Sequence, residues 1–179
     1  MSTRIAFGLI ILALLATAAD AARRQREQAA PVQPGDKRDR TVAAPGTPFN
    51  GKAYWQAAAQ CGGIYFKLGT IYSDGAIKAK VVKPDPAAYA QLSKSADTAS
   101  RTATAFFEAA EHFLIADRRL ARNEAVMTYD AAATAAGERV KTLDAGAQAS
   151  KPCPELYQAC RAAHPQMCND TQILRTSGS

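Results

Sequence analysis

YAQLSKSADTASRTATAFFEAAEHF, residues 89–113, decides how the rest of the chain is read. Tyr89, Leu92, Ala96, Ala99, Ala103, Phe106, Ala110 and Phe113 recur at alternating steps of three and four. That spacing places them on one stripe of a long helix, with small alanines set between bulky residues so that a partner helix can approach closely. Asp85-Pro86 precedes the stretch, a capping residue followed by proline at the first helical position.

Upstream, Tyr54, Ala57, Ala58, Cys61, Ile64, Tyr65, Leu68, Ile71 and Tyr72 make one broad helical face. Asn50 is placed to cap that helix and Asp74-Gly75 to end it. Gly62-Gly63 in its middle costs about 1 kcal/mol per glycine relative to alanine, which points to close approach of another backbone or to a kink. Residues 76–83 alternate Lys78, Lys80 and Lys83 with Ile77, Ala79, Val81 and Val82, and read as an extended connector or a prolongation of the first helix. Their lysines read as a solvated edge. Leu68-Gly69-x-x-Tyr72-x-x-Gly75 resembles the end of one tetratricopeptide-like helical unit. Nothing similar recurs a repeat length later, and no function is carried over from it.

Downstream of Phe113 the stripe loses phase, and Val126, Tyr129, Ala133, Ala136, Val140 and Leu143 define a new one. This predicts a break between Ala116 and Glu124, with Asp117 or Asn123 capping a third helix that runs to about Asp144. Arg118, Arg119 and Arg122 then form the solvated end of a helical hairpin. A soft linker at 145–150 leads to a short helix bearing Leu156, Cys160 and Ala163, terminated by His164-Pro165. The expected fold is all-α: a small bundle of three long helices plus one short C-terminal helix, over residues 50–168.

The flanks differ in composition. Residues 1–21 read as a secretory signal: Arg4, an apolar run from Ile5 to Ala16, then Ala19-Asp20-Ala21, with cleavage before Ala22. An uncleaved N-terminal anchor is the alternative. Residues 22–49 hold Pro31, Pro34, Pro45 and Pro48 and few large apolar groups, and read as a disordered basic leader. Its Arg23, Arg24, Arg26, Lys37, Arg38 and Arg40 face three acidic residues, as a spacer or as a tether to anionic lipid or wall polymer. Residues 169–179 read as a flexible tail. Export to the periplasm or the exterior is the expected destination.

Four cysteines behind an export signal favour two disulfides. Cys153 and Cys160 lie seven helical residues apart, about 10 Å, beyond the reach of a bridge. Cys61–Cys160 with Cys153–Cys168 is the first choice, because Cys61 and Cys160 both sit mid-helix on apolar faces. Cys61–Cys153 with Cys160–Cys168 is the second. Either closes a loop of nearly a hundred residues, worth about 4–5 kcal/mol on the chain-entropy argument.

Little in the sequence points to chemistry. No Cys-x-x-Cys, Gly-x-Ser-x-Gly or phosphate-loop pattern occurs. Glu108, Glu111 and His112 have the wrong spacing for a di-iron Glu-x-x-His pair and fall on the outer face of the heptad. The formal charge is +6, without a basic stripe interleaved with aromatics. The expectation is therefore no catalytic residue, metal or cofactor, and no nucleic acid. An exported envelope protein acting through a helical surface, as adaptor or structural component, is the leading reading, with an envelope protein or anionic envelope polymer as partner and peripheral membrane contact allowed. The alternative is a bundle that carries a small apolar ligand beside Tyr54, Trp55, Tyr65, Phe66 and Tyr72, which needs a cavity of about 300 Å³ or more.

Overall fold

The computed structural model describes residues 39–168. The first 38 residues, with the segment read as a signal and most of the one read as a leader, and the residues after Cys168 read as a tail, lie outside the described residues. The fold is an all-α, disulfide-stapled bundle: α1 (Tyr54–Val81), α2 (Pro86–Arg118), α3 (Arg122–Gly137), α4 (Leu143–Ser150) and α5 (Cys153–Ala163). An isolated antiparallel bridge, Thr41 to Ala53, is the only strand-like pairing among the described residues.

α1 and α2 form an antiparallel pair of 28 and 33 residues. At 1.5 Å per residue they run roughly 42 and 50 Å. α2 begins as its sequence predicts, with Pro86 in the first turn and the Asp85 carboxylate accepting from Ala88 N at 3.0 Å. It ends at Arg119, whose left-handed φ of 56° turns the chain while its N–H bonds Ile115 O. The break falls within the expected window, but neither Asp117 nor Asn123 caps α3. The N-cap is Ala121, whose N–H is taken by the Glu124 carboxylate at 3.0 Å.

α1 differs from expectation at both ends. Asn50 does not cap it; its side chain accepts from Ala44 N inside the preceding loop, and Ala53 is the N-cap. Nor does the helix stop at Gly75, which packs against Leu92 of α2. The facing helix outweighs the propensity cost of one glycine, and of the two readings of residues 76–83 the prolongation of the first helix holds, as far as Val81. Leu68 to Gly75 thus lies inside α1, and no repeat unit ends there.

The third helix is shorter than expected. α3 stops at Gly137, and the presumed linker is α4, capped by Thr142 Oγ1 accepting from Ala145 N at 3.2 Å. Gly146 lies against Leu68 and Val140, and a side chain there would displace them. Gly63 plays the same part at the α1–α3 crossing, where an added Cβ would collide with the Ala133 backbone.

The core sits at the end of the pair that holds the C-terminus of α2. Phe106, Phe113, Leu114, Leu156 and Tyr157 are fully enclosed there with Val42 and Phe49. Those last two residues correct the leader boundary: the chain is folded onto the bundle from residue 39, not from 50. Val42 N bonds Lys52 O at 2.8 Å and Gly51 N bonds Val42 O at 2.9 Å, so residues 39–53 form a hydrogen-bonded strap. A smaller cluster of Ile64, Leu68, Ala99, Ala136 and Val140 continues the core. Beyond it, Ala76 is the only buried residue of α1 after Gly69, and α2 has none before Ala99. There the two helices pack on each other as an arm.

Candidate functional site

Two places stand out once the side chains are located: a buried ionic clasp in the core and the bare end of the arm.

The clasp joins Asp39-Arg40 of the strap to Asp117-Arg118 at the end of α2. Arg118 Nε donates to Asp39 Oδ1 at 2.8 Å and its Nη2 donates to Oδ2, a two-pronged pair with both side chains only 3 % exposed. Trp55 Nε1 donates to the same Oδ2 at 3.0 Å, and the guanidinium lies over the Trp55 ring at 5.0 Å. Burial by itself raises the Asp39 carboxyl, but the hydrogen bonds from Arg118 and Trp55 and the guanidinium charge outweigh it and hold it below its ordinary value. Arg40 mirrors the arrangement in a wetter setting: Nε reaches Asp117 Oδ1 at 2.9 Å while its backbone N–H takes Oδ2 at 3.0 Å. Arg118 is therefore not part of a solvated hairpin end. Arg122 is, with its Nε on Glu111 at 2.9 Å.

Beside the clasp, Tyr54 stacks on Phe113 at 4.9 Å, and the His164 ring stands edge-on to both. Burial pushes the His164 pKa down, helped by the Arg40 charge and opposed by Asp117. The imidazole has two aromatic rings, Tyr54 and Phe113, for neighbours.

The cysteines correct the preferred pairing. Cys61 joins Cys153 and Cys160 joins Cys168, with Cα separations of 5.8 and 6.0 Å. Cys153 and Cys160 are two turns apart on one face of α5, so both point inward. Because α4 folds the chain back, the first of them meets Cys61. The turn at His164, closed by Met167 N and Cys168 N on His164 O, then returns Cys168 to Cys160.

Glu108 and His112 are exposed on α2, and Glu111 is engaged by Arg122. No group of three metal-ligating side chains comes together among the described residues. The five aromatics of α1 do not gather around a cavity. Tyr54 and Trp55 are core, and Phe66 is exposed. Only Tyr65 and Tyr72 line an open groove of about 660 Å³, shared with Gln91, Lys94, Thr98 and Ser150. Burial raises the Tyr65 pKa, partly offset by its hydrogen bond with Ser150.

Comparison with known proteins finds no match. No family model fits the chain, and no curated protein or solved structure is significantly similar to it. The site must be argued from its own chemistry.

That chemistry is at the end of the arm. Ile77, Val81 and Val82 are 57, 70 and 77 % exposed, next to Lys78, Lys80 and Lys83 and the Pro84-Asp85-Pro86 turn. A surface hollow of about 600 Å³ lies among Lys78, Val82, Lys83, Pro84 and Pro86. Lys80 Nζ sits over the Tyr89 ring at 5.5 Å. The lysines form the solvated edge expected from the sequence. The aliphatic residues exposed among them are not expected from it, and follow from the helix running on past Gly75. No helix of the described residues is long and apolar enough to cross a membrane.

Proposed function

We propose that this protein is an exported, non-catalytic envelope component that acts through a helical surface, and that the working surface is the arm of α1 and α2. Two disulfides fit an oxidising compartment, periplasmic or extracellular. The signal reading of residues 1–21, with cleavage before Ala22, supplies the route. The observation that carries the reading is the asymmetry of burial. The clasp, both disulfides and the aromatic stacks hold one end of the molecule, while the other offers Ile77, Val81 and Val82 to solvent. Single exposed aliphatics are ordinary, but three together at the end of a two-helix projection form a contact surface.

The test is recovery of partners from the protein's own envelope fraction, with wild type and a Val81→Ser/Val82→Ser variant as baits. Both side chains are exposed, so the variant keeps its fold. Loss of the recovered envelope material supports the arm; equal recovery by both baits refutes it.

A second reading, carriage of a small apolar ligand, is favoured only by the groove at Tyr65 and Tyr72. Its volume is within the range of ligand sites, yet it is open and partly polar. Native mass spectrometry of the purified protein showing a co-purified lipophilic mass, lost on Tyr72→Ala, would favour that reading instead.

A further inference from the structure

We infer that the tip of the arm is a contact site for an anionic lipid surface. The inference rests on the reading that the arm is the working surface, and it names what the surface meets.

The argument begins with charge. From Ile77 to Pro86 the chain carries Lys78, Lys80 and Lys83 against one acidic residue, Asp85. The Asp85 carboxylate is engaged as the cap of α2 through Ala88 N. Lys80 Nζ also lies over the Tyr89 ring, a contact that leaves its charge unneutralised, so the three lysines give the tip a net positive charge that would meet complementary charge on an anionic partner. Next is shape. Val81, the last residue of α1, and Val82 lie at the end of the projection just before the proline turn, with Ile77 one helical turn earlier. A helix docking into a protein groove presents apolar residues at i, i+3, i+4 and i+7 along one side, and here Ile77 and Val81 make one such pair, with Asp74, Lys80 and Pro84 at the positions that would extend it. Aliphatics at an end, with long basic side chains around them, are the arrangement suited to the headgroup boundary. Short apolar side chains enter the interface while lysine stems lie along it and place their ammonium groups on phosphates. Finally, the tip is remote from the structural fastenings, so contact there disturbs neither clasp nor disulfide.

The experiment uses the full chain carrying Val82→Trp, with vesicles of phosphatidylcholine alone or mixed with phosphatidylglycerol. The difference in emission between the variant and the wild-type chain, whose Trp55 is buried in the clasp, isolates the V82W indole, so binding through the basic leader is not mistaken for binding through the tip. With the anionic vesicles its emission should shift to the blue and become shielded from iodide; with phosphatidylcholine alone it should not. Adding Lys78→Gln, Lys80→Gln and Lys83→Gln should weaken binding on the order of a hundredfold, from three lysines near a charged surface. Raising salt should weaken it too, since the Debye length falls from about 10 Å at 0.1 M to about 3 Å at 1 M. An indole that stays quenchable while the chain sediments with the vesicles overturns the inference, as does equal affinity of the lysine variant. If the vesicles give no signal yet V81S/V82S loses an envelope protein, the partner is a protein: the lipid inference fails and the arm reading stands. If neither responds, both fail.

Discussion

Asp39→Ala is the substitution whose cost the structure specifies best. It removes the acceptor of three hydrogen bonds: two from Arg118 and one from Trp55. Arg118 stays behind with a side chain only 3 % exposed and an Nη1 that already has no hydrogen-bond partner among the described residues. Removing one partner of a buried pair costs about 3–5 kcal/mol, chiefly because the other charge is left buried and unpaired. That is a large share of a typical stability of about 5–15 kcal/mol. For a domain of this size, about 4 °C per kcal/mol translates it into a melting temperature lower by roughly 10–20 °C. Differential scanning calorimetry at neutral pH reads it. Removing both partners, as in D39A/R118M, should recover part of the loss, because no uncompensated charge remains. Asp117→Asn is the control: Arg40 is 38 % exposed, and a pair screened by solvent on one side contributes about 1 kcal/mol or less. The pH dependence has a definite sign. The Asp39 pKa is held below its ordinary 3.8, so its contribution is complete above that value and lost as pH falls through the folded-state pKa. Wild-type and D39A melting temperatures should therefore converge in acid. A D39A protein that melts within about 3 °C of wild type at pH 7 would refute the clasp as a fastening of the fold.

The two disulfides should differ in worth. Cys61–Cys153 spans 92 residues and Cys160–Cys168 spans 8. On the chain-entropy argument, Cys61→Ala/Cys153→Ala costs about 4–5 kcal/mol and Cys160→Ala/Cys168→Ala about 2–3 kcal/mol, a ranking that urea titration checks. Non-reducing peptide mapping should recover those two linked pairs and no Cys61–Cys160 peptide. Gly63→Ala should destabilise by about 2 kcal/mol or more, because its Cβ meets the Ala133 backbone. Gly62→Ala meets only the Phe107 ring, which can swing away, and should cost less. His164 should titrate below 6.5 by NMR. Its folded pKa is depressed, so the stability associated with it is full above 6.5 and falls as pH drops through the folded value.

The parts of this fold legible from sequence are those set by local periodicity and capping. The α2 stripe, its Asp85-Pro86 start and the Ala116–Glu124 break all rest on interactions within a few residues, and the helical class follows from them. The rest depends on contacts far apart in the chain. Gly75 reads as a stop because isolated glycine weakens a helix; Leu92, which packs beside it, is a neighbour only after folding. The strap has just Val42 and Phe49 to bury, too few to stand out in a proline-rich stretch. Its fastening is ionic, over a separation of 79 residues from Asp39 to Arg118. The repeated Asp-Arg dipeptide, at 39–40 and again at 117–118, was a visible signal, but only the fold says that the two copies meet. The first-choice cysteine pairing gives way to the second for a related reason. Helix phase places Cys153 and Cys160 on one face, but which of them lies opposite Cys61 depends on where α4 returns the chain. The arm end was hidden by the same misplaced stop: an extended connector would have had no reason to hold Ile77, Val81 and Val82 together at the end of a projection.

The central claim is that the molecule works through the end of the arm rather than through its stapled core. Site-specific photo-crosslinking in intact cells tests it most directly, with the photoreactive side chain at Val82 on the tip or at Met127 on α3, two comparably exposed positions at 77 and 70 %. The account predicts discrete envelope adducts, lipid or protein, from position 82 and none above background from position 127. Adducts from 127 with none from 82 would contradict it.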